Sequence, residues 1–204
     1  SSKLNIGYKI GLQLFYLKEG RKFVSQVSKK HSVFLDLKIS DISNTARSTL
    51  RSLKDLKFDY ITVHINSGYK SIKEVKKEAK KINKNLKVLG VTVLTSFDQK
   101  SFREIGHTKS IEQIVKKNTM LAQKAKLDGL ICSGDEIETV QKNFNGLIIV
   151  PGIRLKGDKK GDQKRVFSPK DVLNKKGCSG IVMGRSIIKG NIKNNLKKLT
   201  QELK

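Results

Sequence analysis

Short apolar runs alternate with polar, lysine-rich stretches from one end of this chain to the other, and that alternation constrains the fold more than any single motif. Ile6–Ile10 reads as a strand, followed by a helix over Gly11–Lys30. Ser32–Lys38 is the next strand, then a helix over Thr45–Lys54. Tyr60–Val63 precedes a Lys/Glu-rich helix at Ser71–Asn83, and Lys87–Leu94 precedes one over Ile111–Lys126. Leu130–Cys132 and Glu136–Lys142 form the next pair. Leu147–Val150 leads into a long polar loop, Arg154–Phe167, and a helix at Pro169–Lys175. Gly180–Met183 and a terminal helix close the series. Strand–helix alternation with short connections implies a parallel sheet with right-handed crossovers. Seven such units give an α/β fold whose closed form is a TIM (β/α)8 barrel, with its active site at the C-terminal ends of the strands. An open doubly wound sheet competes, but no Gly-x-Gly-x-x-Gly follows the first strand. No linker, repeat or low-complexity break divides the chain, so residues 1–204 read as a single (β/α) barrel domain.

The net charge of +25 raises the question of a nucleic-acid partner. Its distribution argues against one. The excess is almost all lysine along helical stretches, arginines are few, and aromatics make up only 6%, whereas base readers favour arginine and interleaved aromatics. A lysine-coated surface is the simpler reading, and it still draws small anions toward the protein. No apolar run approaches the ~20 residues of a membrane span, and no signal peptide is visible. Cys132 and Cys178 sit in apolar runs, which fits buried free thiols in a reducing cytoplasm. His31, His64 and His107 lack metal-ligand spacing.

The charged residues at strand ends carry the chemistry. Val33 to Lys38 is an apolar strand on which Asp36 and Lys38 point to the same side, and Asp41 follows in the loop. Charges at the exit of a buried strand are costly unless they pair or act on a substrate. An isolated Asp-x-Lys is more often a structural ion pair, but other polar residues fall at the same rim: Lys9, His64, Thr95 and Ser96, then Arg154 and Gln163, then Gly184 and Arg185. The last two loops read as an anion site. Glycine lets backbone approach closely, arginine grips phosphate through a fork, and a helix start adds free N–H groups. Barrels commonly bind phosphate in the loops after their last two strands.

These blocks make the chain resemble the orotidine 5′-monophosphate decarboxylase family. Phe34–Thr45 is similar to the family's Phe-Leu-Asp-Leu-Lys-Phe-His-Asp-Ile-Pro-Asn-Thr signature, and Tyr8–Phe15 to its lysine-bearing strand. Val91–Ser96, Pro151–Arg165 and Gly184–Ile187 match its remaining blocks in order. The Asp-x-Lys-x-x-Asp array alone is shared with sugar-phosphate relatives, while the Pro-Gly-Ile-Arg … Gly-Asp-Gln-x-Arg loop is more particular to the nucleotide enzyme. The resemblance implies that Lys38 protonates C6 of the pyrimidine and that Asp36 sits beside the substrate carboxylate. It implies that Lys9 and Asp41 hold the network and touch the ribose, with Asp41 donated across a homodimer interface. Thr45, Thr95 and Ser96 would contact substrate, and Arg154, Gln163, Gly184 and Arg185 would hold its phosphate. It implies a small-molecule nucleotide substrate, no cofactor, and a place in cytoplasmic uridylate synthesis. The Arg154–Phe167 loop, with Gly157 and Gly161, has the make-up of a lid.

Ser40 stands where the family usually has His, and Ser43 where it usually has Pro, which is expected to loosen the loop that presents Asp41. The family's barrel also begins with an Ala-Leu-Asp strand ahead of the lysine strand. Here Ser1 precedes Lys9 by only a few residues, so that βα unit is expected to be missing, leaving two unpaired strand edges. A longer parent product is favoured over a strand supplied by a partner or a degraded copy. Two other functions compete. One is a 3-keto-gulonate 6-phosphate or hexulose phosphate enzyme, a type that often needs Mg²⁺; the other is a non-catalytic basic binder of anions or nucleic acid.

Overall fold

The computed structural model describes residues 5–158 and 165–203. They fall into two compact units, residues 5–91 with 124–128, and residues 92–123 with 129–158 and 165–203.

In the first unit, β1 (Tyr8–Gly11), β2 (Val33–Ile39), β3 (Tyr60–His64) and β4 (Lys87–Val91) lie in that spatial order. All pair in parallel, with Tyr8 opposite Val33, Phe34 opposite Tyr60 and Tyr60 opposite Lys87. Between them run α1 (Leu12–Phe15), α2 (Gly20–Val27), α3 (Ser43–Arg51) and α4 (Tyr69–Ile82). Strand residues Ile10, Leu35, Ile61 and Val88 share one face by register and are buried, as are Leu50, Ile72 and Ala79 on the helices, which fits an apolar stripe on each helix. Gly90 has no room for a side chain: a Cβ there would lie 2.8 Å from methyl carbons of Ile65 and Leu127. Two aspartates tie down the strand starts. Asp59 accepts the Val33 N–H at 2.9 Å and Asp128 the Val88 N–H at 2.7 Å. Carboxylates at this end of the strands serve stability; those at the other end are placed for chemistry.

The second unit holds β5 (Gly129–Ile131), β6 (Leu147–Val150) and β7 (Gly180–Ile181), again parallel and in order. Its helices are α5 (Gln99–Glu104), α6 (Ile111–Ala125), α7 (Ile137–Gln141), α8 (Pro169–Leu173), α9 (Arg185–Ile188) and α10 (Ile192–Glu202). Phe102, Leu130, Ile137, Ile148 and Val172 are its buried centre. The base of the 154–167 loop is pinned by a bridge between Ile153 and Phe167, with the Arg154 N–H donating to the Phe167 carbonyl at 3.0 Å.

Two expectations are corrected and one element is added. The single helix over Gly11–Lys30 is two, α1 and α2. At Gly20 the chain folds so tightly that a Cβ would lie 2.1 Å from the Phe15 carbonyl oxygen, which only glycine permits. The terminal helix is also two, parted at Gly190 (φ +76°) and restarted by Asn191, whose side chain accepts the Asn194 N–H. Finally, α5 was not anticipated; Asp98 and Ser101 form a reciprocal capping box at its start. Of the two thiols, Cys132 is buried and Cys178 half-buried, and both are free.

Candidate active site

In the first unit, β2 breaks its register where the charges sit. Leu35 pairs with Ile61 and Ile39 with Val63, so Asp36, Leu37 and Lys38 together oppose Thr62. This is a bulge with two extra residues, and Lys38 takes a left-handed backbone (φ +48°), a costly conformation for a residue with a side chain. The bulge curls the Lys38 side chain back so that its Nζ lies 2.8 Å from Asp36 Oδ1. Lys9, arriving from β1, places its Nζ 2.8 Å from Asp36 Oδ2. One carboxylate thus holds two ammoniums, one on each oxygen. Thr62, fully buried, donates its hydroxyl to Asp36 Oδ1 at 3.0 Å and accepts the Lys38 N–H at 2.9 Å.

Burial is the largest single effect on the Asp36 carboxyl and pushes its pKa up. The combined pull of Lys9 and Lys38 outweighs it, so the group sits below its ordinary value. His64, at the C-terminal end of β3, is pushed down, first by burial and then by the Lys38 charge, against a smaller opposing pull from Asp36.

The structure therefore brings together Lys9, Asp36 and Lys38. Asp41 is exposed, and its Oδ1 accepts the neighbouring Ile42 N–H at 2.7 Å. Thr45 is exposed on α3. The loop carrying Asp41 is tied by the Ser71 hydroxyl, which donates to the Asp41 carbonyl at 2.8 Å, and by a 3.2 Å bond from Ser67 to Ser40. These bonds hold a segment in which Ser43 replaces the proline.

In the second unit, Thr95 is half-buried in the turn after β4 and Ser96 is exposed. Arg154 is only 8% exposed and its guanidinium donates to the Ile153 carbonyl. It lines an open cavity of about 570 Å³ with Lys156, Phe167, Ser168, Lys170 and Glu202. Gly184 and Arg185 are exposed and do not line that cavity. Among the described residues other than its chain neighbours, none lies within 4 Å of where a Cβ at Gly184 would sit. Arg185 opens α9, a single turn whose dipole is small because few peptide units add. Gln163 lies outside the described residues.

Sequence reasoning missed four participants. Thr62 had a signal: in Tyr60–His64 it shares a face with His64, the same alternation that singled out Asp36 and Lys38. Ser71 had none, because its partner is a backbone carbonyl. Glu136 had none, and Arg165, although it ends the Gly-Asp-Gln-x-Arg block, gave no sign of pairing with a residue so far away in sequence. Arg165 donates to the buried Glu136, lies 3.6 Å from Asp135 and reaches the Leu94 carbonyl at 3.4 Å. Glu136 also accepts the Ser133 N–H at 2.9 Å. Burial pushes its pKa up, against the lowering pull of Arg165.

The chain matches the family model described as "Orotidine 5'-phosphate decarboxylase / HUMPS family" over residues 3–198. It is 40% identical over 188 residues to the orotidine 5′-phosphate decarboxylase of Ligilactobacillus salivarius, covering 89% of this chain and 78% of that one. It is 37% identical over 191 residues to the corresponding protein of Malacoplasma penetrans, covering 92% and 82%. Among solved structures, orotidine 5′-phosphate decarboxylase from Lactobacillus acidophilus superposes with a TM-score of 0.79 at 29% identity, over 96% of this chain and 85% of that one. An uncharacterized conserved protein from Geobacillus kaustophilus shares the fold at a TM-score of 0.80 and 24% identity, over 96% and 87%. The α/β barrel class expected from strand–helix alternation is the one these neighbours share, and the chain belongs to the orotidine 5′-phosphate decarboxylase family.

Proposed function

We propose that this protein is a carboxy-lyase that converts orotidine 5′-monophosphate to uridine 5′-monophosphate in pyrimidine biosynthesis. The observation that carries the reading is the Lys9–Asp36–Lys38 cluster, two ammoniums on one carboxylate at 2.8 Å each, in a chain 40% identical to a decarboxylase of that name.

The bond from C6 to the carboxyl carbon breaks, CO₂ leaves, and its electron pair stays on C6. The Lys38 ammonium stabilises that carbanion and then gives it a proton. A preorganised cation in a site poor in water needs no reorganisation when the charge develops, and the barrier reductions typical of enzymes are about 8–23 kcal/mol. Asp36 stands beside the substrate carboxylate. At 4 Å two such charges repel by about 4 kcal/mol at an effective dielectric near 20, a repulsion that departure of CO₂ relieves. Lys9 keeps Asp36 ionised and, with Asp41, meets the ribose. Thr45, Thr95 and Ser96 contact the nucleotide, while Arg154, Gln163, Gly184 and Arg185 hold the phosphate. Phosphate binding away from C6 supplies energy that the chemical step can use.

We also propose a homodimer that shares its sites. Asp41 and Thr45 are exposed beside Ile42, an apolar side chain 73% open to solvent, as residues offered to a second copy would be.

The test is the loss of orotidylate ultraviolet absorbance with the parent protein and with Lys38→Ala. Turnover that persists in a chelator and disappears in the variant is expected. A folded parent that leaves orotidylate intact, or one that needs Mg²⁺ and acts on a keto-sugar phosphate, would overturn the assignment.

A further inference from the structure

We infer that Thr62 is a positioning residue for the decarboxylation, acting through both Asp36 and the backbone of Lys38. The ladder between β2 and β3 is interrupted where three residues of β2 oppose one of β3. A bulge leaves a backbone N–H without a ladder partner, and a buried N–H without a partner is costly. Here that group belongs to Lys38, and the Thr62 hydroxyl oxygen accepts it at 2.9 Å. The same hydroxyl has one proton to give, and it goes to Asp36 Oδ1 at 3.0 Å. Oδ1 is also the oxygen that receives the Lys38 ammonium at 2.8 Å.

Both ends of the Lys38 residue are therefore set by one side chain. Its backbone is held directly in the left-handed region (φ +48°), and its ammonium is held through the orientation of Asp36. Thr62 is fully buried, so water does not replace the hydroxyl. Serine in its place keeps both hydrogen bonds; valine keeps the shape and loses both. Neither Lys9 nor His64 can do this work. Lys9 reaches the other carboxylate oxygen, and His64 lies beyond the bulge at the end of β3.

The kinetic arm of the test rests on the proposed decarboxylase reading; amide exchange does not. Thr62→Val and Thr62→Ser are compared with the parent for orotidylate turnover and for hydrogen exchange of the Lys38 amide. In Thr62→Val, kcat is expected to fall about 10- to 100-fold, the range of one buried hydrogen bond to a charged group, with KM changed less than kcat. Lys38 amide exchange should accelerate by a similar factor, and Thr62→Ser should keep both near the parent values. Where Thr62→Val does not fold, Thr62→Ala against Thr62→Ser makes the same comparison. An inactive parent whose Lys38 amide is protected in Ser and released in Val would sink the decarboxylase reading, overturn the catalytic part of the inference, and leave standing only the hold of Thr62 on the Lys38 backbone. A Lys38 amide equally protected in all variants, or equal kcat loss in Ser and Val, overturns the inference.

Discussion

Replacing Asp36 with asparagine keeps the shape of the side chain and removes the one anion between two cations. Each ammonium lies 2.8 Å from a different oxygen of that carboxylate, so the nitrogens are about 4–8 Å apart and repel by about 2–4 kcal/mol at an effective dielectric near 20. Two charged hydrogen bonds are lost as well, about 1.5–3 kcal/mol each when fully buried. The lysine side chains are 32% and 30% exposed, so screening by solvent roughly halves these figures. Burying a neutral amide instead of a carboxylate offsets part of the remainder. The net expectation is a loss of about 3 kcal/mol, read as a melting temperature lower by roughly 6–12 °C for a chain of this size. The effect must also depend on pH. The folded pKa of Asp36 lies below its ordinary value, so the carboxylate contributes fully above its unfolded pKa of about 3.9, and the contribution disappears as pH falls through the folded value. Asparagine does not titrate. Urea unfolding of parent and Asp36→Asn from pH 7 to pH 3 should therefore show a gap that is constant above about pH 5 and narrows below pH 4. A variant as stable as the parent, or a gap indifferent to pH, would refute the claim that Asp36 is the charge bridge of the folded state.

Two further substitutions probe the proposed phosphate contact of Arg185 and the packing of the first unit. Arg185→Ala should raise KM for orotidylate by about 10- to 100-fold, as expected for loss of a charged hydrogen bond to phosphate, while leaving the affinity for uridine, which lacks that phosphate, unchanged; isothermal titration with uridylate and uridine separates the two. Gly90→Ala puts a methyl 2.8 Å from Ile65 and Leu127 and should lower stability by about 1–3 kcal/mol in urea titrations, through packing rather than any contact with substrate.

Much of this arrangement was legible before any coordinates. Strand–helix alternation gave the fold class because a parallel sheet buried on both faces writes itself as apolar runs. Alternation along β2 put Asp36 and Lys38 on one side. What it could not give was their contact: on a regular strand two such side chains stand roughly 6–7 Å apart along the chain, and only the bulge and the left-handed Lys38 bring the ammonium onto the carboxylate. Register slips of this kind depend on the partner strand, which local sequence does not encode. The same limit hid Glu136 and Arg165, whose pairing depends on tertiary placement. The break at Tyr16–Glu19 had a cue in Gly20, but apolar residues at helical spacing on both sides concealed it.

The charge state of the cluster follows from these contacts and bears on why the chemistry needs Asp36 at all. Two ammoniums and one carboxylate leave one positive charge. A protonated His64 would add a second beside Lys38, but burial and the Lys38 charge both push its pKa down, so at neutral pH the ring is uncharged. Without Asp36, Lys9 and Lys38 would relieve their mutual repulsion by moving apart. In the proposed mechanism, a lysine that has moved no longer faces C6. The carboxylate thus keeps both lysines close and, in the proposed mechanism, stands beside a substrate carboxylate that it repels. That repulsion acts on the bound substrate and ends when CO₂ departs, whereas the attraction between Lys38 and the charge at C6 grows as the bond breaks. Both changes favour the transition state over the bound substrate, which is the condition for an interaction to accelerate a reaction rather than merely tighten binding.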